Sequence, residues 1–217
     1  MVTADEQLSA ATSPGEVDRP RFEQLATTYL AELGAALDSM DVPAILRIVE
    51  RLRVARDAGR TVFIAGNGGS AAIASHWVND LGKATKRSGR APIRVMGLTD
   101  NVSWITALGN DEGYDRVFSG QLENFVQPGD LLAVISSSGN SPNVVRAVED
   151  ARAAGAVTVA FVGFDGGKLR NLVDECLWVP TAQGAYGVVE SAHAVAVDIV
   201  TTCLIGDTPA EPNSALR

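Results

Sequence analysis

The sequence predicts an α/β fold: a parallel sheet of five strands flanked by helices, with an α-helical hairpin ahead of it. Three observations predict it. Short apolar runs rich in β-branched residues begin near residues 61, 93, 130, 157 and 176, and each has the length of a buried parallel strand. Stretches with helical spacing alternate with them, the order that builds a parallel sheet covered on both faces. Two of the strands run straight into turns of small residues that open a helix, Gly66-Asn67-Gly68-Gly69-Ser70 and Ser136-Ser137-Ser138-Gly139-Asn140-Ser141-Pro142.

Residues 1–20 are small and acidic, contain Pro14 and Pro20, and read as a disordered lead-in. Phe22, Leu25, Tyr29, Leu33, Ala36, Leu37 and Met40 recur at helical spacing. A second helical run, 42–58, carries Ile45, Ile48, Val49, Leu52 and Val54. Together they make the hairpin, which packs on the domain or on a second copy. Thr61 to Ala65 is the first strand, and Ser70 is placed to cap a helix from Ala71 to about Lys86. Ile93 to Leu98 is the second strand. Thr99-Asp100-Asn101 caps a short helix to Leu108, Gly109 to Gly113 makes a polar turn, and Tyr114 to Phe125 reads as a helix. The third strand, Asp130 to Ile135, leads into a helix over 144–153. Val157 to Val162 is a strand, Lys168 to Leu172 a short helix, and Cys176 to Val179 the last strand. An apolar helix from Val188 to about Leu204 follows, then a flexible polar tail, 207–217, with Pro209 and Pro212. No repeat or linker divides the chain, so residues 21–206 form one domain.

The chain of 217 residues is long enough to bury a core without disulfides or metals. Its 18 basic and 26 acidic residues give a net charge of −8, which argues against nonspecific binding of nucleic acid or of an acidic membrane. Net charge does not exclude a phosphorylated ligand, because local dipoles outweigh it at short range. Cys176 and Cys203 both border apolar residues and are expected to be buried reduced thiols. No apolar run is expected to reach the roughly 18 residues of a membrane span. The N-terminus has no charged-then-apolar leader, so a cytoplasmic location is expected.

The stretch 130–142 concentrates the chemistry. A buried strand ends in a turn with four serines, and Ser141 and Pro142 suit the cap and first position of the next helix. That geometry aims free backbone N–H groups and hydroxyls at one point and favours an anion, most simply a phosphate. The glycine turn at 66–70 repeats the pattern, and both should open at the carboxyl edge of one sheet, where α/β sheets bind ligands. Short amides and carboxylates suit vicinal hydroxyls, but Asp100 and Asp111 serve equally well as helix caps.

The motifs Ala65-Gly66-Asn67-Gly68-Gly69-Ser70, Ala107-Leu108-Gly109-Asn110-Asp111 and Ile135-Ser136-Ser137-Ser138-Gly139-Asn140-Ser141 resemble the sugar isomerase (SIS) domain, and within it the phosphoheptose isomerase branch. The likeness runs from about residue 20 to 205. It implies a flavodoxin-like three-layer sandwich that isomerises sedoheptulose 7-phosphate to the aldoheptose 7-phosphate. It also implies a homotetramer with active sites shared between subunits and no organic cofactor. By position, Ser70, Ser136, Ser137, Ser138 and Ser141 hold the phosphate, while Asn67, Gly68, Gly69, Asp100, Asn110 and Asp111 complete the sugar site.

The catalytic positions depart from the family pattern. A histidine and a glutamate four residues on read here as His76 and Asp80. A glutamine and a histidine on the terminal helix read as Glu190 and Asp198, and an acidic-basic pair ahead of them is replaced by Gly187 and Val188. Isomerisation through an enediol needs a base near C1 and C2 and a group that polarises the carbonyl. Asp80, Glu190 and Asp198 are the candidates, and clustered carboxylates raise one another's pKa. Some family members carry zinc here, so His76, Asp80, Glu190 and Asp198 are also candidate ligands for a divalent ion, zinc or the harder manganese or magnesium. On an ideal helix Glu190 and Asp198 stand about 12 Å apart and point about 80° apart. Either the helix begins after Glu190 or one ligand comes from a second subunit. The same departures fit two other readings: a non-catalytic SIS protein that binds a phosphosugar or a partner, and an isomerase acting on a different sugar.

Overall fold

The computed structural model describes residues 18–208. Its first half runs α1 (Arg19–Asp38), α2 (Val42–Asp57), β1 (Thr61–Gly66), α3 (Gly69–Lys83), β2 (Arg94–Gly97), α4 (Val102–Asp111) and α5 (Ser119–Leu122). The second half runs β3 (Leu131–Ser136), α6 (Pro142–Ala153), β4 (Val157–Val162), α7 (Leu169–Leu172), β5 (Glu175–Trp178) and α8 (Tyr186–Gly206). All strand pairs are parallel, in the order β2-β1-β3-β4-β5.

The strand pleat divides the core into two layers. Val62, Ile64, Leu131, Ala133, Ile135, Val159 and Phe161 face α2, α3 and α8. Phe63, Ala65, Leu132, Val134, Ala160 and Val162 face α4 through α7. The central strand β3 is buried at every position, as its unbroken apolar run requires. At its start Asp130 accepts the backbone N–H of Thr61 (2.8 Å) and of Gln127 (2.9 Å), which fixes β1 against β3. Further along, β1 and β3 stay in register up to the pair Gly66 and Ile135.

Where the elements depart from expectation, the cause is local. α3 starts at Gly69, because Gly68 takes the left-handed cap position (φ +55°), so Ser70 lies inside the helix instead of capping it. α4 runs on through Gly109, Asn110 and Asp111, and the residue that ends it is Gly113 (φ +103°), whose N–H joins that of Glu112 on the Leu108 carbonyl. Thus 109–113 is mostly helix. The stretch 114–125 is not one helix but a 3-10 turn, Tyr114–Arg116, and the single turn α5. The buried Gln121 side chain donates to the carbonyls of Val117 and Leu98, taking the Val117 acceptor that a continuous helix would use.

The chain ends also differ. α1 begins at Arg19, inside the expected lead-in, with Asp18 accepting the Arg21 N–H at 3.1 Å; the rest of the lead-in, 1–17, lies outside the described residues. Asp207, assigned to the tail, is held by Arg56 (2.7 Å), Arg53 (3.0 Å) and Arg90 (3.3 Å), and the Arg56 bond leads in lowering its carboxyl to about 2. Residues 209–217 lie outside the described residues. Cys176 and Cys203 are free and half-buried rather than fully buried, and burial raises the Cys176 thiol to about 11.

α8 corrects the expectation that no apolar run would reach span length. By length and composition it passes as a membrane span, but half of it is buried in the fold. Val188, Val189, Ala192, Ala196, Val197, Val200 and Leu204 face the sheet and neighbouring helices. Trp77 of α3 packs edge-on to Phe161 with ring centroids 5.2 Å apart, and its indole N–H donates to Thr201 of α8. α1 lies on the outer side of α8, burying only Ala36 and leaving Phe22, Leu25, Tyr29 and Leu30 exposed.

His193 of α8 is fully buried against Phe161, and burial lowers its pKa to about 4, which the nearby Val162 backbone offsets only in part. The unfolded chain binds this proton near the ordinary value of about 6.5. His193 therefore contributes stability that is complete above pH 6.5 and is lost as pH falls toward 4. Urea melts of wild type and His193→Leu across pH 4–7 should show a shallower pH dependence in the variant.

Candidate active site

The register of β1 and β3 puts their carboxyl ends side by side, with β2 on the far side of β1 and β4 on the far side of β3. That is the switch point of the sheet, where ligands enter α/β folds. Two loops leave it and two helices, α3 and α6, begin there. Close approach is possible because Gly66 has no side chain: a Cβ would lie 2.8 Å from the Ser70 backbone and 3.0 Å from the Ile135 carbonyl. Gly139 (φ +63°) likewise lies directly on the Gly166 backbone, so the 163–168 loop braces the serine turn from behind. The Leu169 N–H donates to the Gly139 carbonyl, and the Lys168 N–H to the Asn140 side chain, both at 3.0–3.1 Å.

Between the two loops lies a cleft of about 130 Å³, lined by Asn67, Ser70, Ile135, Ser136, Ser137, Ser138, Ser141, Tyr186 and Glu190. All five predicted phosphate-binding serines line it. Gly68 and Gly69 do not line it themselves: Gly68 lines a neighbouring cleft, and Gly69 leaves room for the Glu190 carboxylate, which a Cβ there would meet. The hydroxyls have distinct duties. Those of Ser136 and Ser138 accept the Gly139 and Asn140 N–H groups (3.2 Å each) and shape the turn. The Ser137 hydroxyl is buried with no partner. Ser141 stands at the cap of α6 but makes no side-chain cap bond, and Gly68 at the cap of α3 has no side chain to make one. Two helix N-termini without cap bonds and a spare buried hydroxyl thus converge on one cleft. Among the described residues no basic side chain lines it, and Glu190 is its one carboxylate. The donors it offers an anion are neutral hydroxyls, backbone N–H groups and helix dipoles.

A second cluster lies along α3. His76 Nε2 stands 3.1 Å from Asp80 Oδ2 and 3.4 Å from Asp198 Oδ1. His76 and Asp80 share a face because they are four residues apart on a helix, while Asp198 arrives from α8. Their ligand atoms lie within 4.8 Å of one another, so one imidazole and two carboxylates are arranged to hold a divalent ion with open positions left over. Glu190 does not join them. α8 begins at Tyr186, ahead of Glu190, which rules out a late helix start, and helix geometry keeps Glu190 in the serine cleft two turns away.

Asp100 accepts from Ser75, next to His76 on α3, and lines a neighbouring cleft with Trp104 and Gln121 rather than the serine cleft. Asn110 and Asp111 are exposed on the last turn of α4, bonded to each other, and do not line the serine cleft of the chain that carries them. Asn101, not Asp100, caps α4 through the Trp104 N–H. Sequence reasoning missed Tyr186, which lines the cleft while stacking edge-on to Phe164, and Asn143, which bonds Asn67. The signal for Asn143 was present: an amide on the α6 stripe that also buries Ala147 and Ala151.

Comparison with known proteins gives this geometry its relatives. Residues 28–163 match the SIS domain family. The chain is 37% identical over 176 residues to the probable phosphoheptose isomerase of Thermoplasma acidophilum, covering 81% of this chain and 94% of that protein. It is 43% identical over 142 residues to the phosphoheptose isomerase of Rhodospirillum rubrum, covering 65% and 74%. The solved phosphoheptose isomerase of Neisseria gonorrhoeae superposes with a TM-score of 0.76 at 27% identity, over 85% of this chain and 98% of that one. With its five-stranded sheet, its paired loops and its serine turn, the chain belongs to the SIS domain family.

Proposed function

We propose that the chain is a phosphosugar isomerase interconverting sedoheptulose 7-phosphate and D-glycero-D-manno-heptose 7-phosphate. The convergence of two helix N-termini without cap bonds on the buried, unpartnered Ser137 hydroxyl carries the phosphate half of this reading. The names of its relatives, similar over most of their length, support the heptose half.

The phosphate sits on Ser70, Ser136, Ser137, Ser138, Ser141 and the backbone around them, and the sugar extends along α3. From Ser70 to His76 is a rise of about 9 Å, room for several sugar carbons. Asp80, Glu190 and Asp198 are then the carboxylates within reach of the chain of carbons. Starting from the ketose, a carboxylate takes the C1 proton while a proton reaches the carbonyl oxygen on C2. The enediol collapses when the proton returns to C2 and O1 gives up its own. The exchange is redox-neutral and uses no organic cofactor. A divalent ion on His76, Asp80 and Asp198, zinc or the harder manganese or magnesium, supplies Lewis-acid polarisation of the carbonyl when bound.

The active form in this reading is a homotetramer. The apolar face of α1, with Phe22, Leu25, Tyr29 and Leu30 exposed, supports association with a second copy. Asn110 and Asp111, outside the serine cleft of their own chain, serve the site of a neighbouring subunit in this reading, while Asp100 stands beside α3 of its own chain. The free cysteines accord with a cytoplasmic location.

Three measurements test the proposal. NMR of the purified protein with sedoheptulose 7-phosphate should show the aldoheptose phosphate, and its absence with and without added divalent metal sinks the isomerase reading. Asp80→Asn should cut turnover by about 10²-fold or more and spare sugar-phosphate binding; full residual activity removes Asp80 from the chemistry. Ser137→Ala should leave Tm unchanged or slightly raised, because it deletes a hydroxyl with no partner. The same variant should weaken inorganic phosphate binding roughly tenfold, as measured by calorimetry.

A further inference from the structure

Asn67 is held by a network that fixes its amide. Its Nδ2 donates to Asn143 Oδ1 at 2.9 Å, and Asn143 Nδ2 donates back to Asn67 Oδ1 at 2.8 Å. A reciprocal amide pair would survive both amides flipping together. One further bond removes that freedom. The Val144 N–H donates to Asn143 Oδ1 at 3.0 Å, so oxygen must stand there. The Tyr114 hydroxyl donates to Asn67 Oδ1 at 3.1 Å. Both lone pairs of the Asn67 carbonyl are then filled and one of its two N–H bonds is used. What remains is a single N–H on a residue that lines the serine cleft.

Asn143 is only 1% exposed and does not line that cleft. It sits in the first turn of α6, directly after the serine turn, while Asn67 belongs to the glycine turn after β1. The pair therefore joins the two loops that the sheet brings together. We propose that Asn143 is a positioning residue: it orients Asn67 so that its one free N–H donates to an oxygen lone pair of the bound sugar phosphate. This rests on the phosphosugar reading and adds a polarity to it, since a hydroxyl meeting Asn67 must accept and not donate.

A double-mutant cycle on Asn67→Ala and Asn143→Ala, read by isomerase kinetics with sedoheptulose 7-phosphate, tests it. Asn143→Ala should raise KM about tenfold with kcat changed less than about threefold, because the bond is equally present in ground and transition states. Added to Asn67→Ala, it should change nothing more, since Asn143 acts only through Asn67. Wild-type kinetics in Asn143→Ala, or a double variant whose losses multiply, overturns the proposal. If Asn143→Ala does not fold, the wild-type Asn67 side-chain amide is followed by ¹⁵N NMR during titration with the same sugar phosphate. One of its two protons should shift downfield; movement of neither, or of both alike, overturns the proposal. If the wild type binds without turnover, the isomerase reading falls alone, and the same cycle read as Kd by calorimetry decides the role of Asn143. If it does not bind, both fall.

Discussion

The pairing of β1 with β3 is the constraint from which the site follows. Asp130 ties the start of one strand to the other, and five paired residues later Gly66 lies beside Ile135. Because the chain turns to opposite sides after each strand, neither crossover covers the space above that pair. The starts of α3 and α6 and both small-residue loops have no alternative but to share it. A shift of one residue in this pairing would turn every side chain of β1 to the wrong core layer, so burial of Val62, Phe63, Ile64 and Ala65 holds the loops in place.

α8 closes the arrangement from the other side. Its apolar face is part of the core, its first turns bring Tyr186 and Glu190 to the cleft, and Asp198 faces α3. Its far end is fastened by three arginines on Asp207. Placement of the two candidate carboxylates, Glu190 and Asp198, is thus inherited from packing of the apolar face of the same helix. α1 lies along the same helix, and the Tyr29 hydroxyl meets that of Ser191, the neighbour of Glu190.

Much of this was legible in the sequence because it is local. A buried strand followed by a run of serine, glycine and asparagine specifies a turn and a helix start within a dozen residues, and both site loops are written that way. The separation of Glu190 from Asp198 was legible too, because it needs only the rise and twist of a helix. The breaks in 114–125 were not, because they depend on where the Gln121 amide finds carbonyls in the fold. Nor was the Asn67–Asn143 pair, whose members are 76 residues apart and meet only through the sheet register. Asn110 and Asp111 carry the family pattern in sequence, yet lie outside the cleft of their own chain.

Among the described residues of one chain, no lysine or arginine lines the serine cleft. A lysine or arginine clamp would attract any nearby anion and would weaken steeply in salt. Hydroxyls and amides respond instead to how many lone pairs a guest offers and in which directions. A tetrahedral phosphate ester satisfies several of them at once, whereas a flat sugar carboxylate cannot. For a phosphate ligand in this cleft, discrimination would rest on stereochemistry and would depend less on ionic strength than in a charge-based receptor.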